Sequence, residues 1–164
     1  MLRRSALVFL LAAAGATRGE EALPPVEVYG PAVCLACIDW AEHLRENGFT
    51  ARYHAVADLT AVKRRWRVPD EVAGRHTAVV AGYFIEGHVP AQDIKTLLKE
   101  KPKARGLAVP GLPRGAPGLE KSSPSCERGC TILDNEAGEA VVRRELFDTL
   151  LVDRRGKTKT WARH

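Results

Sequence analysis

The sequence predicts an α/β domain with a central mixed four-stranded sheet, flanking helices and an extra C-terminal hairpin. Three observations predict it. Segments alternating with period two and segments of helical period follow one another in the order β-α-β-α-β-β-α. A cysteine pair, Cys34-Leu35-Ala36-Cys37, stands between the first strand and the first helix. The closing segment, FDTLLVDRRGKTKTWARH, reads as two strands about a glycine turn.

Each element has a local cause. VEVYG (26–30) is a short strand ending at Gly30-Pro31. Cys37, Trp40, Ala41 and Leu44 then recur at helical spacing, while Asp39, Glu42, Arg45 and Glu46 face away. Asn47-Gly48 ends that helix. FTARYHAV (49–56) alternates as a strand, and Asp58 can N-cap a helix carrying Leu59, Val62 and Trp66, closed by Val68-Pro69. HTAVVAGYFIEG (76–87) contains two β-rich runs about an Ala81-Gly82 turn. Pro90 suits the first turn of a helix holding Ile94, Leu97 and Leu98, which stops before Pro102. The GKT of the last segment is a turn rather than a phosphate loop, because Leu151 stands where the upstream glycine is required. Trp40 and Trp66 fall on apolar helix faces and read as core, and Trp161 lies in the final strand.

The start of the chain sets the compartment. Arg3 and Arg4 precede an apolar run from Ser5 to Ala14, and Ala14-Gly15-Ala16 fits a small-x-small cleavage site, the pattern of a secretory signal peptide. A membrane span needs about 20 apolar residues, more than this run supplies. The reading is therefore a signal peptide over 1–16, a linker over 17–25 and a single domain over 26–164, exported without a stable membrane anchor. Cleavage removes two arginines and no acids, leaving 23 basic and 20 acidic residues in 148, a net charge of +3. The basic residues are scattered, which argues against a nucleic-acid partner.

All four cysteines, Cys34, Cys37, Cys126 and Cys130, lie beyond the cleavage site, and an exported compartment permits disulfides. Met1 is the only methionine, so a soft-metal site in the mature chain must use thiolate and imidazole. The element order, with C-x-x-C at the start of the first helix, is thioredoxin-like. Unpaired N–H groups and the positive end of the helix dipole favour a thiolate there. Thiolate serves both disulfide exchange and metal binding, so position alone leaves the two open.

Several stretches, HTAVVAGYFIEGHVPAQDIKTLLKEKP, GLAVPGLPRGAPGLE and LLVDRRGKTKTWARH, resemble the CopG-type periplasmic copper-resistance proteins. The resemblance covers roughly residues 26–120 and 146–164. It implies a thioredoxin-like fold and copper handling at a cysteine-rich site made by C-G-C-C and by a cysteine in C-H-T-A. This chain departs from both motifs. Ala36 replaces one thiol, and Arg75, before His76-Thr77-Ala78, replaces another. The family's G-M-P and G-M-E become Gly111-Leu112-Pro113 and Gly118-Leu119-Glu120. Cys126 and Cys130 stand instead in a stretch, about 121–145, that looks inserted relative to the family.

In the thioredoxin-like order the strand starting near His76 runs antiparallel to the first strand and begins beside Cys34. The resemblance implies that the Gly/Pro segment packs over the same end, bringing Glu120 near. Six residues from there to Cys126 reach about 20 Å at most. Cys126 and Cys130 therefore either complete a site with Cys34, Cys37 and His76, or form a disulfide that staples their own loop. Thiolates with His76 suit Cu(I), with Zn(II) as the alternative. Arg75 either favours a Cys34 thiolate or points to solvent. His88 reads as a loop or helix-entry residue, His43 and His54 as partly exposed polar residues, and His164 as terminal.

The expected function is soft-metal binding, copper by resemblance, in periplasmic metal homeostasis or resistance. Its partners are then a metal ion and other periplasmic copper-handling or thiol-redox proteins. Two other classes stay open. One is a thiol–disulfide oxidoreductase with Cys34 attacking and Cys37 resolving; the other is an adaptor domain that has lost the metal chemistry.

Overall fold

The computed structural model describes residues 22–120, 132–134, 140–142 and 144–164. The expected export segment, and both Cys126 and Cys130, lie outside the described residues. The elements are β1 (Val26–Gly30), α1 (Leu35–Glu46), β2 (Ala51–Ala55), α2 (Leu59–Trp66), a 3-10 turn (Asp70–Val72), β3 (Thr77–Val80), β4 (Tyr83–Glu86), α3 (Ala91–Glu100), β5 (Ala104–Ala108), β6 (Ile132–Asp134), β7 (Ala140–Val142), β8 (Asp148–Asp153) and β9 (Thr158–Arg163).

Local chemistry sets the element ends as expected. Asp58 caps α2, accepting from the Ala61 N–H at 3.0 Å. Asn47 caps the C-terminus of α1, its backbone N–H donating back to His43 and Leu44. The Ala81-Gly82 turn joins β3 to β4, and both residues have positive φ.

The sheet differs from the expected one. It has seven strands in the order β2-β1-β3-β4-β5-β8-β9. β1 pairs parallel with β2 through α1, and β4 parallel with β5 through α3. The other pairs in this sheet are antiparallel. The expected four strands form one half, β2-β1-β3-β4, and β5 then docks the C-terminal hairpin onto the same sheet. The sequence concealed β5 because its last three residues, Gly106, Leu107 and Ala108, are all buried. A strand covered on both faces reads as an apolar run without alternation. Within the stretch expected as an inserted loop, β6 and β7 pair as a separate two-stranded ladder, Ile132 opposite Val142.

Alternation along the central strands sorts the core into two layers. Ile85, Leu107 and Leu151 join Trp40, Leu44, Ile94 and Leu97, so α1 and α3 cover one face. Their neighbours Phe84, Ala108 and Val152 pack with Val72 on the other face, against Trp66 and Val68. α2 lies on that second face and buries none of its residues. Trp66 is thus only half-buried, a correction to the core reading, whereas Trp40 is fully buried.

Candidate metal centre

Cys34 is the N-cap of α1. Its Sγ accepts from the Cys37 N–H at 3.3 Å, and its carbonyl accepts from the Cys37 and Ile38 N–H groups. Cys34 and Cys37 are joined as a disulfide, with Cα atoms 5.3 Å apart. Both sulfurs therefore sit at the positive end of the helix dipole. Cys34 is 9% exposed and Cys37 fully buried, so Cys34 is the sulfur nearer solvent. Around them stands an apolar collar: Val33 is 88% exposed, Leu35 60% and Ile38 41%.

β1 leads into this corner, and the register of β3 on β1 places Tyr29 opposite Thr77. His76 thereby enters beside Gly30, as the strand order predicts. Its ring packs on Trp40, one helical turn beyond Cys37, with centroids 4.5 Å apart. His88 meets it edge-on at 5.1 Å. Both nitrogens of His76 and Nε2 of His88 are buried without a hydrogen-bond partner.

Burial holds the His76 pKa well below the ordinary histidine value, helped by the nearby His88 and Lys63. The Gly87 backbone pulls weakly the other way without meeting hydrogen-bond geometry. His88 is pushed down to about 4, chiefly by burial, against the opposing pull of Pro117, Glu120 and Asp39. Its Nδ1 lies 2.8 Å from the Pro117 carbonyl. A carbonyl only accepts, so Nδ1 carries the proton and Nε2 keeps a bare lone pair. A backbone-anchored Nδ1–H with a free Nε2 is how metal-binding histidines are commonly oriented. The sequence reading passed over His88; its place two residues before the Pro90 that caps α3 gave no hint of burial.

Two supports fix this corner. Fully buried Glu86 accepts from Lys63 Nζ at 2.6 Å, from the Gly74 N–H at 2.7 Å and from Thr77 Oγ1, which clamps the segment on either side of His76. On the other side, the segment 116–119 lies over the start of α1. Gly118 has φ +78°, and a Cβ there would stand 2.5 Å from the Trp40 backbone nitrogen. Ala36 packs with Ala116 and Leu119. The Gly/Pro segment does cover the cysteine end, and Glu120 lies close enough to act on His43 and His88.

Cys34, Cys37 and His76 are thus gathered at one corner, with His88 added. With the cysteines joined, no group of three His, Cys, Asp or Glu residues among those described is arranged to hold a metal. Arg75 is exposed. His43 accepts from the Ala91 N–H at 3.1 Å, His54 pairs with Glu27 at 2.6 Å, and His164 bonds Asp93 at 2.8 Å, each in a structural role.

A mixed α/β domain with a cysteine pair at a helix N-terminus, backed by buried imidazoles, defines a class of small thiol-bearing proteins. Residues 72–119 match the family model described as a protein of unknown function, DUF411. Two solved structures, the copper resistance protein CopG in its forms 1 and 2, are each 34% identical to the chain. Each match covers 87% of this chain and 98% of the other, with a TM-score of 0.70. No curated protein matches the sequence. The chain belongs to the CopG copper-resistance family.

Proposed function

We propose that the chain binds copper as Cu(I) in the periplasm, in metal homeostasis or resistance, through the dithiol form of Cys34 and Cys37. One observation carries this reading: the buried imidazole of His76, without a hydrogen bond, packed one helical turn from Cys37. Burying an unpartnered imidazole costs folding energy, which a soft metal would offset. An external dithiol would reduce the disulfide by exchange, giving up two electrons and two protons and becoming a disulfide itself. Cu(I) then displaces the thiol protons, with His76 or His88 Nε2 as the added nitrogen ligand and Zn(II) as the competing ion. The order β2-β1-β3-β4, with the cysteine pair at the start of α1, supports the thioredoxin-like reading of the fold. Cys126 and Cys130 are proposed as further ligands, or else as a disulfide of their own.

The apolar collar around the joined cysteines favours a second reading, a thiol–disulfide oxidoreductase that docks a partner over Cys34. One experiment separates them. Reduced protein is loaded anaerobically with Cu(I) and its bound metal counted by native mass spectrometry. The same protein is assayed for catalytic reduction of a disulfide substrate. Retained Cu(I) without turnover supports the first reading; turnover without retained Cu(I) replaces it with the second. Neither activity would leave an adaptor domain.

A further inference from the structure

Far from the cysteines, on the face of the sheet that carries α2, an open cavity of about 280 Å³ is lined by Arg65, Trp66, Arg67, Gly82, Arg105 and Arg154. Four of the six lining residues are arginines, and none of the four makes an ion pair with a carboxylate among the described residues.

Their placement is built. Arg105, on β5, donates from Nη1 to the Arg67 carbonyl at 3.0 Å, and from Nε and Nη2 to the Arg154 carbonyl at 3.1 and 2.8 Å. One guanidinium therefore clips the end of α2 to the β8–β9 turn. Arg67 is held in the left-handed region, φ 54°, as the C-cap of α2. The clip holds the backbones of two further arginines at a third one's guanidinium, so the charges they carry start from one corner of the cavity. Arg65 and Arg154 are exposed and make no hydrogen bond through their side chains among the described residues. The half-buried indole of Trp66 forms an apolar wall, and a cleft of one charge sign with such a wall concentrates counter-ions.

We propose that this cavity binds a small multivalent oxyanion of the phosphate or pyrophosphate class. Arg65, Arg67 and Arg154 would contact it through their forked donors, and Arg105 is the positioning residue that holds Arg67 and Arg154 together. Guanidinium suits a tetrahedral oxyanion because two N–H groups reach two oxygens at once. The volume is at the lower limit for ligand sites, which fits an inorganic anion or a single headgroup phosphate rather than a large molecule.

The test is calorimetric titration of the whole purified protein with inorganic pyrophosphate, at low and at high ionic strength. One pyrophosphate should bind per chain. Arg65→Gln/Arg154→Gln, whose side chains the fold does not use, should weaken binding by about tenfold or more, as expected for losing charge-assisted contacts. The charge-matched control Lys95→Gln/Lys99→Gln, on α3 across the sheet, should bind as the parent does. Arg105→Gln should also weaken binding. A parallel arm measures co-sedimentation with phosphatidylglycerol and with phosphatidylcholine vesicles. Retention by phosphatidylglycerol alone, lost in the double arginine variant, assigns the site to a headgroup phosphate. No saturable pyrophosphate binding together with vesicle retention unchanged by the double variant, or no binding in either arm, overturns the proposal. So does an equal loss in the lysine control, because the effect would then be one of net charge.

Discussion

His76 lies against Trp40 with ring centroids 4.5 Å apart, and neither nitrogen of its imidazole has a hydrogen-bond partner. The indole gives the ring packing but no polar compensation, and such a buried group costs about 1–3 kcal/mol. A metal ligand kept for its function should therefore be dispensable for folding. His76→Leu is expected to leave the reduced, metal-free protein at least as stable as the parent in urea unfolding. Its Cu(I) affinity should fall by about tenfold or more, in line with losing a nitrogen ligand. A variant that loses stability yet keeps its Cu(I) affinity would make His76 a core residue and nothing else.

Cys34→Ser and Cys37→Ser should each abolish tight Cu(I) binding, measured by competition with a Cu(I) chelator. Two thiolates are the least that a chain with Met1 as its only methionine offers to a soft ion. If Cys126 and Cys130 join the site, their serine variants should lower affinity or stoichiometry. If they form a staple, those variants should bind normally and lose about 2 kcal/mol or less, given so short a loop. Were the protein an oxidoreductase, Cys37→Ser would instead trap a mixed disulfide on Cys34.

Acid should destabilise the fold through His88. Burial depresses its folded pKa to about 4, while an unfolded histidine titrates near 6.5. Above about pH 6.5 the group is neutral in both states and this contribution to stability is fully present. As the pH falls toward 4, the unfolded chain takes up the proton first and the contribution is lost, to a total of about 3 kcal/mol. His76, shifted in the same direction, adds to the loss. Denaturant midpoints measured from pH 7 to pH 4 should fall. In His88→Gln they should fall less, and a slope unchanged by that substitution would contradict the assignment.

Gly118→Ala should destabilise the protein by about 2 kcal/mol or more. The new Cβ would stand 2.5 Å from the Trp40 backbone nitrogen, and φ +78° is costly for any residue with a side chain. Because segment 116–119 also holds His88 through Pro117, the same variant should alter metal binding. Thermal melting and a Cu(I) titration of one preparation read both effects.

Lys63→Met should cost about 3 kcal/mol, because it strands the fully buried Glu86 carboxylate without its cation. Adding Glu86→Gln should recover part of the loss, since an amide tolerates burial better than an unpaired charge. Equal destabilisation of the single and double variants in chemical denaturation would show that the ion pair does not set the cost.

The sequence by itself determined most of the elements and the place of the cysteine pair at the start of the first helix. Helical spacing of Cys37, Trp40, Ala41 and Leu44, the Asp58 cap and the Ala81-Gly82 turn are local signals, and local energies decide them. The entry of His76 beside the first strand was also legible, because in the thioredoxin-like order that the elements suggested the third strand runs antiparallel to the first, as β3 does to β1. Only the tertiary structure decided the rest. β5 and the terminal hairpin extend the sheet to seven strands because both faces of β5 are covered, a burial that composition does not reveal. His88 became a ligand candidate only when the Pro117 carbonyl, 29 residues away, accepted a hydrogen bond from its Nδ1–H and left Nε2 bare. The arginine cavity arose where Arg105 tied together carbonyls at positions 67 and 154. Contacts between residues so far apart depend on how whole layers pack, and no period or spacing along the chain encodes them.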